Sequence, residues 1–430
     1  MSDPSQRGRR TVKVTINGTG FAADYTAQVY SMIPHKNGVD IEVAGVTSGQ
    51  RANAEAFAAK HGIAMAYDSH AAMLEEVKPD IDNIACANYA HGGYAEEAAR
   101  AGVGVIVLEK PPVIWPGYEE TREASAAVKR AETMRRLGEV LDTLRQSNSK
   151  LLYAENFVYF DGVKGIAELL KEAMNHRKGK VLYQRGVCAH QGSHAPAYDT
   201  PSKSGGGALF NKACHPLGPV LYLKQLEGLL SEGRPIRPAK VAAIALQVMK
   251  NQPDFAGEHF RVCRNVDDFG RVSIVFEDGT VAEVIGHDMS ISGIRNGLSV
   301  ITDHGEYELR VNPNNENELF MPDAQAAGSL LFREKLPTAQ GTSFPRPRQF
   351  AAHGYVNEMD DAVQCVLDPA RYPQSGALMA WDTMAVLMAG YESSEAGGGF
   401  IDLGSHLASR TFTAEEMPNP EHTGSVFQQR

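Results

Sequence analysis

Short apolar runs alternate with amphipathic stretches along the first third of the chain. The apolar runs, residues 12–16, 41–46, 82–86, 103–108 and 151–154, are predicted to be buried strands. Stretches between them, residues 52–61, 69–77 and 93–101, have the spacing of helices. Regular alternation of strands and helices predicts an α/β domain with a doubly wound parallel sheet and helices on both faces.

The pattern changes from about residue 179, where longer strand candidates follow one another. They lie at residues 180–189, 240–249, 270–276, 281–287, 298–303 and 306–311. Asp278-Gly279 indicates a hairpin turn because Asp-Gly readily adopts positive φ angles, and His304-Gly305 separates a second hairpin pair. Helical spacing returns at residues 355–367 and 377–395. This half is predicted to be an α+β domain with a large mixed or antiparallel sheet.

These patterns predict two domains and a tail. The expected limits are residues 1–155 for the parallel-sheet domain, 156–407 for the α+β domain and 408–430 for a polar tail. Residues 118–147 are predicted to form one or two helices with a solvated charged face, and residues 323–348 a loop.

Composition narrows the classes of protein that fit. The 430 residues are 43% hydrophobic and 22% charged, as in globular proteins, and no apolar run reaches the roughly 20 residues that cross a bilayer. The N-terminus is polar and the five scattered cysteines have no paired spacing, so we expect a cytoplasmic protein with reduced thiols. The net charge of −10 argues against nucleic-acid binding. We expect a small-molecule partner, with no membrane and no nucleic acid.

A glycine-rich turn follows the first predicted strand and opens the first helix. Gly18 permits a tight turn, Gly20 lets backbone approach a pyrophosphate, Phe21 begins the helix, and Ala23 is small enough for close helix–strand packing. A dinucleotide would place its phosphates against the helix N-terminus. The alternative is a purely structural turn, but this placement favours cofactor binding.

The end of the second predicted strand bears on which dinucleotide binds. Many NAD sites place an acid about 20 residues after the glycines, whereas this chain has Ser48 and Arg51 there and no carboxylate. Because these side chains could bind a 2′-phosphate, the sequence favours NADP slightly over NAD. The alternative is that Arg51 is merely exposed on the following helix.

The sequence Glu109-Lys110-Pro111-Pro112 follows a predicted buried strand, at the sheet edge where α/β proteins bind ligands. A partly buried Lys110 could contact both cofactor and substrate and act as a proton donor, with Glu109 orienting it. The alternative is an exposed ion pair that caps the strand. The position and the two prolines favour a functional lysine.

A second glycine run, residues 205–207, precedes Asn211 and His215, which stand four positions apart and are expected on one helical face. Histidine suits proton removal near neutral pH, as oxidation of an alcohol requires. The alternative is a helix histidine without a role.

Two further histidines, His190 and His194, lie on a predicted loop after a strand. With His215 they could hold zinc, but the irregular loop does not fix that spacing. We expect no metal and instead favour recognition of substrate hydroxyl groups by His190 or His194.

Together these segments resemble the Gfo/Idh/MocA family, that is, the glucose–fructose oxidoreductase and inositol dehydrogenase relatives. The shared motifs are Gly18-x-Gly20, the 87–91 turn with Asn88 and His91, Glu109-Lys110-Pro111, GGGxLxNxxxH at 205–215, the 266–279 stretch and residues 382–386. The resemblance runs in order over about residues 11–404.

The resemblance implies a Rossmann domain and a second domain for substrate binding and oligomerisation, through which family members pair. It implies Lys110, with a cis peptide to Pro111, and His215 as catalytic residues assisted by Asn211. Asn88, His91 and Glu109 would join the cofactor contacts, and Tyr159 the substrate contacts. The chain departs from the family pattern in Asn211 for the usual Asp, Ala87 for Pro and Tyr159 for Arg.

The leading hypothesis is an NAD(P)-dependent oxidoreductase that transfers hydride to or from a hydroxyl-bearing carbon of a sugar, cyclitol or related polyol. One alternative is an enzyme that keeps its cofactor bound and cycles it during elimination, hydrolysis or epimerisation. The other is a non-catalytic cofactor-binding or assembly subunit, for which Asn211 gives slight support. We expect a homodimer or homotetramer.

Overall fold

The computed structural model describes most of the chain. The described residues are 10–33, 39–115, 123–193, 195, 197–252, 263–291, 293–312, 319–321, 341–343 and 353–423. Within them, no helix is long and apolar enough to cross a membrane. All five cysteines are free, and only Cys86 is partly exposed.

The first sheet has six parallel strands. They are β1 (Arg10–Asn17), β2 (Val39–Thr47), β3 (Met65–Tyr67), β4 (Ile81–Ile84), β5 (Val105–Glu109) and β6 (Lys150–Ala154), in the spatial order β3-β2-β1-β4-β5-β6. Helices α1 (Phe21–Tyr30), α2 (Arg51–His61), α3 (His70–Val77), α4 (His91–Arg100) and α5 (Ala126–Gln146) connect them. The strand order reverses between β1 and β4, and ligands of such sheets bind where the carboxyl ends of the strands diverge.

The second sheet has seven strands and is mixed. They are β7 (Val181–Ala189), β8 (Pro238–Leu246), β9 (Phe269–Phe276), β10 (Val281–His287), β11 (Arg295–Thr302), β12 (Glu306–Asn312) and β15 (Ile401–Asp402), in the order β12-β11-β7-β10-β9-β8-β15. Only β7 and β10 pair in parallel. A separate short pair joins β13 (Leu319–Met321) to β14 (Gly341–Ser343).

Helices cover one face of the second sheet. They are α8 (Ala208–Asn211), α9 (Cys214–Glu232), α11 (Ala377–Glu395) and α12 (Gly404–Ser409). Helix α6 (Asp161–Met174) packs on α9, and α7 (Pro201–Ser204) contacts the turn at residues 88–90. Helix α10 (Tyr355–Leu367) packs on α1 and on the first sheet. Alternate residues of β9, β10 and β11 are buried, because one face packs on these helices while the other stays partly exposed. The long helices α9 and α11 are hydrophobic on nearly every side, which suits their position inside the core.

The predicted fold class, a Rossmann-type parallel sheet followed by a domain with a large mixed sheet, is confirmed. Sequence reasoning missed the three-residue β3, which is too short for a periodic signal, and extended β8 beyond its observed end at Leu246. Most of the predicted 323–348 loop, and residues 118–122 and 424–430, lie outside the described residues. The domain limits stay a prediction.

One carboxyl group lies buried without compensation. Glu358 on α10 is 0% exposed, and neither of its side-chain oxygens has a hydrogen-bond partner in the described part of the chain. Burial, and then the nearby Glu109, Glu155 and Asp361 carboxyls, raise its pKa well above 4.5. Folding must therefore keep a proton on this group at neutral pH.

We predict that Glu358→Met stabilises the fold, and more so as pH rises. The unfolded glutamate ionises above its ordinary pKa while the folded one does not, so stability is lost as pH rises towards the folded pKa. Between pH 5 and pH 8 the advantage of the variant in the free energy of unfolding should grow by on the order of 2–4 kcal/mol. Chemical denaturation at both pH values measures it, with the exposed Glu75→Met as control; an advantage that does not change with pH would contradict the prediction.

Candidate active site

A cavity of about 280 Å³ lies where the carboxyl ends of the first sheet face the second domain. Its volume is near the lower end of small-molecule sites, which run from about 300 to 1,000 Å³. Of the residues predicted for the site, it is lined by Phe21, Asn88, His91, Glu109, Lys110, His190, Asn211 and His215. Residues distant in sequence are thus brought to one place from both domains.

The glycine turn has the geometry that a dinucleotide needs. Gly18 has φ +127°, and a Cβ there would overlap the backbone carbonyl of Ala85. Gly20 is the N-cap of α1, and a Cβ at that position would meet no protein atom within 4 Å. Ala23 lies in the first turn of α1 and is fully buried. These residues fit a pyrophosphate at the start of α1, since the backbone there can be approached closely.

The side chains beyond β2 are already engaged with the protein. The Arg51 guanidinium lies 2.9 Å from Glu55 Oε1 and 3.0 Å from Asp68 Oδ1. The Ser48 hydroxyl accepts a hydrogen bond of 3.4 Å from Thr19. Arg51 therefore carries two carboxylate partners at the point where a 2′-phosphate was expected to bind.

Lys110 leaves the end of β5 and lines the cavity, and its peptide bond to Pro111 is cis, as the resemblance implies. Its ammonium group makes no hydrogen bond or ion pair with the described part of the chain. Burial disfavours its charge, yet the neighbouring Cys214, Glu109 and Glu155 raise its pKa above the usual value. The pKa of Glu109 rises to about 7, chiefly through burial.

His91 is placed behind this strand end. Its Nδ1 lies 2.7 Å from the Pro111 carbonyl oxygen and its Nε2 lies 3.3 Å from that of Cys86. The ring is buried and burial lowers its pKa, so the imidazole is neutral and donates from its single N–H to one of these two carbonyl oxygens, which lie at the ends of β4 and β5. Its geometry supports the strand ends that carry Lys110.

His215 near the start of α9 carries a partner that sequence reasoning missed. Its Nδ1 lies 2.9 Å from Oε1 of Glu155, the residue directly after β6. Burial, and then the positive charges of Lys110 and Lys212, lower the pKa of His215 well below 6.5. Burial raises the pKa of Glu155 well above 4.5, while the positive charge of Lys110 and the Phe157 backbone N–H oppose that rise and favour the ionised form. The rule that singled out Lys110, a polar residue at the end of a parallel strand, also applied to Glu155.

Asn211 and His215 do not share one continuous helix, which corrects the expectation from their spacing. Helix α8 ends at Asn211 and α9 begins at Cys214, so the chain turns between them. The Asn211 amide donates to the carbonyls of Gly206 at 2.7 Å and Ser204 at 3.4 Å. Asn88 donates to the Asn211 carbonyl oxygen at 3.5 Å. Asn211 thus holds the glycine run at residues 205–207 against the Rossmann domain.

The second domain contributes polar residues to the wall of the cavity. Strands β7 and β10 end side by side and bring His190 close to Asp288, whose carboxylate accepts a hydrogen bond of 2.8 Å from Tyr198. The Lys212 ammonium lies 3.7 Å from Asp288 Oδ1 and 4.5 Å from the centre of the Tyr198 ring. His190 and Lys212 line the cavity, whereas His194 lies outside the described residues.

Tyr159 does not line the cavity, which corrects the expectation that it contacts substrate. Its side chain is 1% exposed, and its hydroxyl donates to Asp361 Oδ2 at 2.9 Å. The Ser375 amide donates to the same hydroxyl at 3.2 Å. A tyrosine here fills the core and satisfies two polar partners, so its role is structural.

Comparison with known proteins agrees with this geometry. Residues 12–138 match the family model GFO_IDH_MocA, described as an oxidoreductase family with an NAD-binding Rossmann fold. A curated relative, D-glucoside 3-dehydrogenase of Escherichia coli (strain K12), is 34% identical over 130 residues. That match covers 30% of this chain and 33% of the relative, so the chain aligns with a third of that protein's length.

Solved structures share the fold of nearly the whole chain. GenD2 from gentamicin A biosynthesis, in complex with NAD, aligns with a TM-score of 0.70 and 19% identity over 91% of this chain and 96% of that one. Myo-inositol 2-dehydrogenase from Lactobacillus plantarum aligns with a TM-score of 0.66 and 16% identity, covering 91% and 99%. Scyllo-inositol dehydrogenase from Lactobacillus casei, with bound NAD(H) and scyllo-inositol, aligns with a TM-score of 0.66 and 16% identity. That alignment covers 92% of this chain and 100% of the other.

Fold and cavity together show a Rossmann-type sheet that faces a mixed-sheet domain, and the Rossmann part matches an NAD-binding oxidoreductase family. The predicted resemblance to the Gfo/Idh/MocA oxidoreductase family is confirmed over residues 12–138.

We predict that Tyr159→Phe destabilises the protein without changing substrate affinity. The variant removes the acceptor of the Ser375 amide and a donor to Asp361, which should cost about 1–3 kcal/mol of unfolding free energy. Denaturation and steady-state kinetics measure the two quantities, with the partly exposed Tyr183→Phe as control. A several-fold rise in KM with unchanged stability would place Tyr159 in the substrate site after all.

Proposed function

We propose that this protein is an NAD(P)-dependent dehydrogenase that transfers hydride to or from a hydroxyl-bearing carbon of a sugar, cyclitol or related polyol. One observation carries the proposal: Lys110 from the Rossmann domain and His215 from the second domain line the same cavity, next to a dinucleotide-type glycine turn. The names of the relatives, a glucoside dehydrogenase and inositol dehydrogenases, support the substrate class.

The chain's own residues divide the work around the reacting carbon. When bound, the nicotinamide accepts or donates the hydride. The unpaired Lys110 ammonium donates a hydrogen bond to the substrate oxygen and stabilises the negative charge that develops on it. His215 is kept neutral by burial and by two nearby lysines, so it takes up the hydroxyl proton during oxidation and returns it during reduction.

Substrate hydroxyl groups are recognised by the polar wall. Lys212 can donate to a hydroxyl oxygen, and the buried Asp288, whose Oδ1 lies 3.7 Å from the Lys212 ammonium, compensates the charge of that lysine. His190 beside them offers a further polar contact. A polyol satisfies such paired donors and acceptors better than a simple alcohol, because buried polar groups left unpaired cost binding energy.

The proposal extends to the assembly. The outer face of the second sheet carries exposed apolar side chains, among them Leu182, Val281, Ile244 and Leu246, at 36–48% exposure. Apolar groups at a partly exposed sheet face support a homodimer or homotetramer that meets through this face.

We predict that Lys110→Met abolishes turnover and retains the cofactor. The variant keeps most of the unbranched side chain but removes the ammonium group, so kcat should fall about 10²- to 10⁴-fold. NADH fluorescence should report binding within a few-fold of wild type. Activity is measured on a panel of D-glucosides and inositols, with the exposed Lys203→Met as control.

Unchanged kcat on a true substrate would remove Lys110 from the mechanism. Purified protein that carries nicotinamide, yet gives no net reduction of added cofactor with any substrate, would favour the cofactor-cycling alternative instead.

We further predict a preference for NAD over NADP, because Glu55 and Asp68 together outweigh the charge of Arg51 near the expected 2′-position. The double variant Glu55→Gln/Asp68→Asn frees Arg51 and should lower the KM for NADP about 3- to 10-fold, since these groups are exposed and partly screened. The KM for NAD should not change. A wild-type protein that prefers NADP would overturn the assignment.

A further inference from the structure

The catalytic histidine proposed above has a carboxylate partner from a different part of the chain than its spacing suggests. Sequence spacing pairs His215 with residue 211, four positions earlier, where this chain has an amide. In the structure the His215 Nδ1 instead lies 2.9 Å from Glu155 Oε1. These residues are 60 positions apart, so no periodic signal links them.

The hydrogen bonds around Glu155 favour a proton on Nδ1 of His215. The Phe157 backbone N–H donates to Oε1 at 3.3 Å. An ionised Glu155 accepts from both groups; His215 then donates from Nδ1, and its Nε2 keeps the lone pair that can take a proton. This is the tautomer that proton removal in the cavity requires.

The packing around the pair is built to admit the carboxylate. Glu155 is 0% exposed, and a Cβ at position 218, one turn after His215, would overlap its Cγ. Gly218 thus leaves the space through which Glu155 reaches the imidazole. The Phe157 ring stacks on the His215 ring with centroids 5.0 Å apart and planes at 24°. The imidazole is held by a hydrogen bond at one edge and by a ring on one face.

Asn211 cannot hydrogen-bond to His215 Nδ1 while its amide holds the glycine run at residues 205–207. Its amide nitrogen is bound to the carbonyls of Gly206 and Ser204. A carboxylate at this position would face those two carbonyl oxygens and be repelled by them. The amide is therefore the better residue at 211 in this chain.

We propose that Glu155 is the positioning carboxylate of the proton-transfer pair, taking the part that the Gfo/Idh/MocA pattern assigns to residue 211. The proposal rests on the proposed dehydrogenase function. During oxidation the substrate carbon loses a hydride, with two electrons, to the nicotinamide. The hydroxyl proton goes to His215 Nε2, and the C–O bond becomes a carbonyl. Glu155 keeps the Nδ1 proton in place and stabilises the imidazolium that forms.

Several charged or titratable groups surround this pair and enter any pH dependence. They are Glu109 and Lys110 at the end of β5, Cys188 on β7, Lys212 and Cys214 around the start of α9, and Glu358 on α10. The two lysines disfavour a positive His215, and Glu155 is the carboxylate hydrogen-bonded to the ring. Removal of Glu155 should therefore make His215 a weaker base.

The first test needs neither cofactor nor substrate. Nitrogen NMR of protein labelled with ¹⁵N-histidine reports which ring nitrogen of His215 is protonated, with His215→Gln to assign the signals. We expect the Nδ1–H tautomer in wild type and a shift towards Nε2–H in Glu155→Leu. Asn211→Ser and the buried Glu358→Gln should leave the tautomer unchanged. An Nε2–H ring in wild type, or a change in Asn211→Ser but not in Glu155→Leu, would overturn the proposal.

The second test is kinetic and uses Glu155→Gln, which preserves shape and the acceptor oxygen but removes the charge. Its kcat should fall about 10²- to 10⁴-fold, with NADH affinity kept and the acid limb of the pH profile moved to lower pH. Glu155→Asp should retain more activity than Glu155→Gln. Equal activity of Glu155→Gln and wild type would overturn the role.

If wild type turns over no substrate of the panel while the expected His215 tautomer is observed, the dehydrogenase proposal fails, but the assignment of Glu155 as the partner of His215 is kept.

Glu155, Cys214 and His215 also have ligand atoms within 4.8 Å of one another. Stoichiometric metal in purified wild type, absent from Glu155→Gln, would make His215 a ligand and overturn the proposal. We expect metal analysis to find none, because the Lys110 charge beside the cluster opposes a cation.

Discussion

The partial burial of Lys110 is the constraint on which the rest of the site depends. An ammonium group removed from water is costly unless nearby groups compensate its charge. Here no group in the described part of the chain hydrogen-bonds to the ammonium; burial opposes its charge, and the nearby Glu109 and Glu155 are among the acidic groups that raise its pKa above the usual value. The charge is thereby retained while its hydrogen-bonding capacity stays available to a ligand.

This balance requires both domains. Strands β5 and β6 of the first sheet end beside each other and deliver Lys110 and Glu155, while α9 of the second domain delivers His215 and Cys214. The two positive charges of Lys110 and Lys212 keep His215 neutral, and burial raises the pKa of the carboxyls around it. Each group's protonation state is thus set by burial and by residues from both halves of the molecule.

The relocated carboxylate shows how one fold accommodates variation in its site. The relatives share the fold at 14–19% identity, which leaves most positions free to differ. In this chain the Asn211 amide bonds to the 205–207 glycine run, and the imidazole lies against the Glu155 carboxyl group at the end of β6. What the chemistry constrains is the position of a carboxylate next to a ring nitrogen, and not the place in the sequence that supplies it.

The sequence alone determined the order of elements, the glycine turn and the position of Lys110, because these depend on local periodicity, on backbone freedom at Gly18 and on the rule that ligands bind at strand ends. It could not assign Tyr159, since a tyrosine at the surface of a cavity and one hydrogen-bonded in the core have the same local pattern. It also misplaced Asn211 and His215 on one helix, because spacing does not reveal the turn at residues 212–213. Only the tertiary structure joined Glu155 to His215, because a hydrogen bond between residues 60 positions apart depends on where two domains pack, and no local pattern records that.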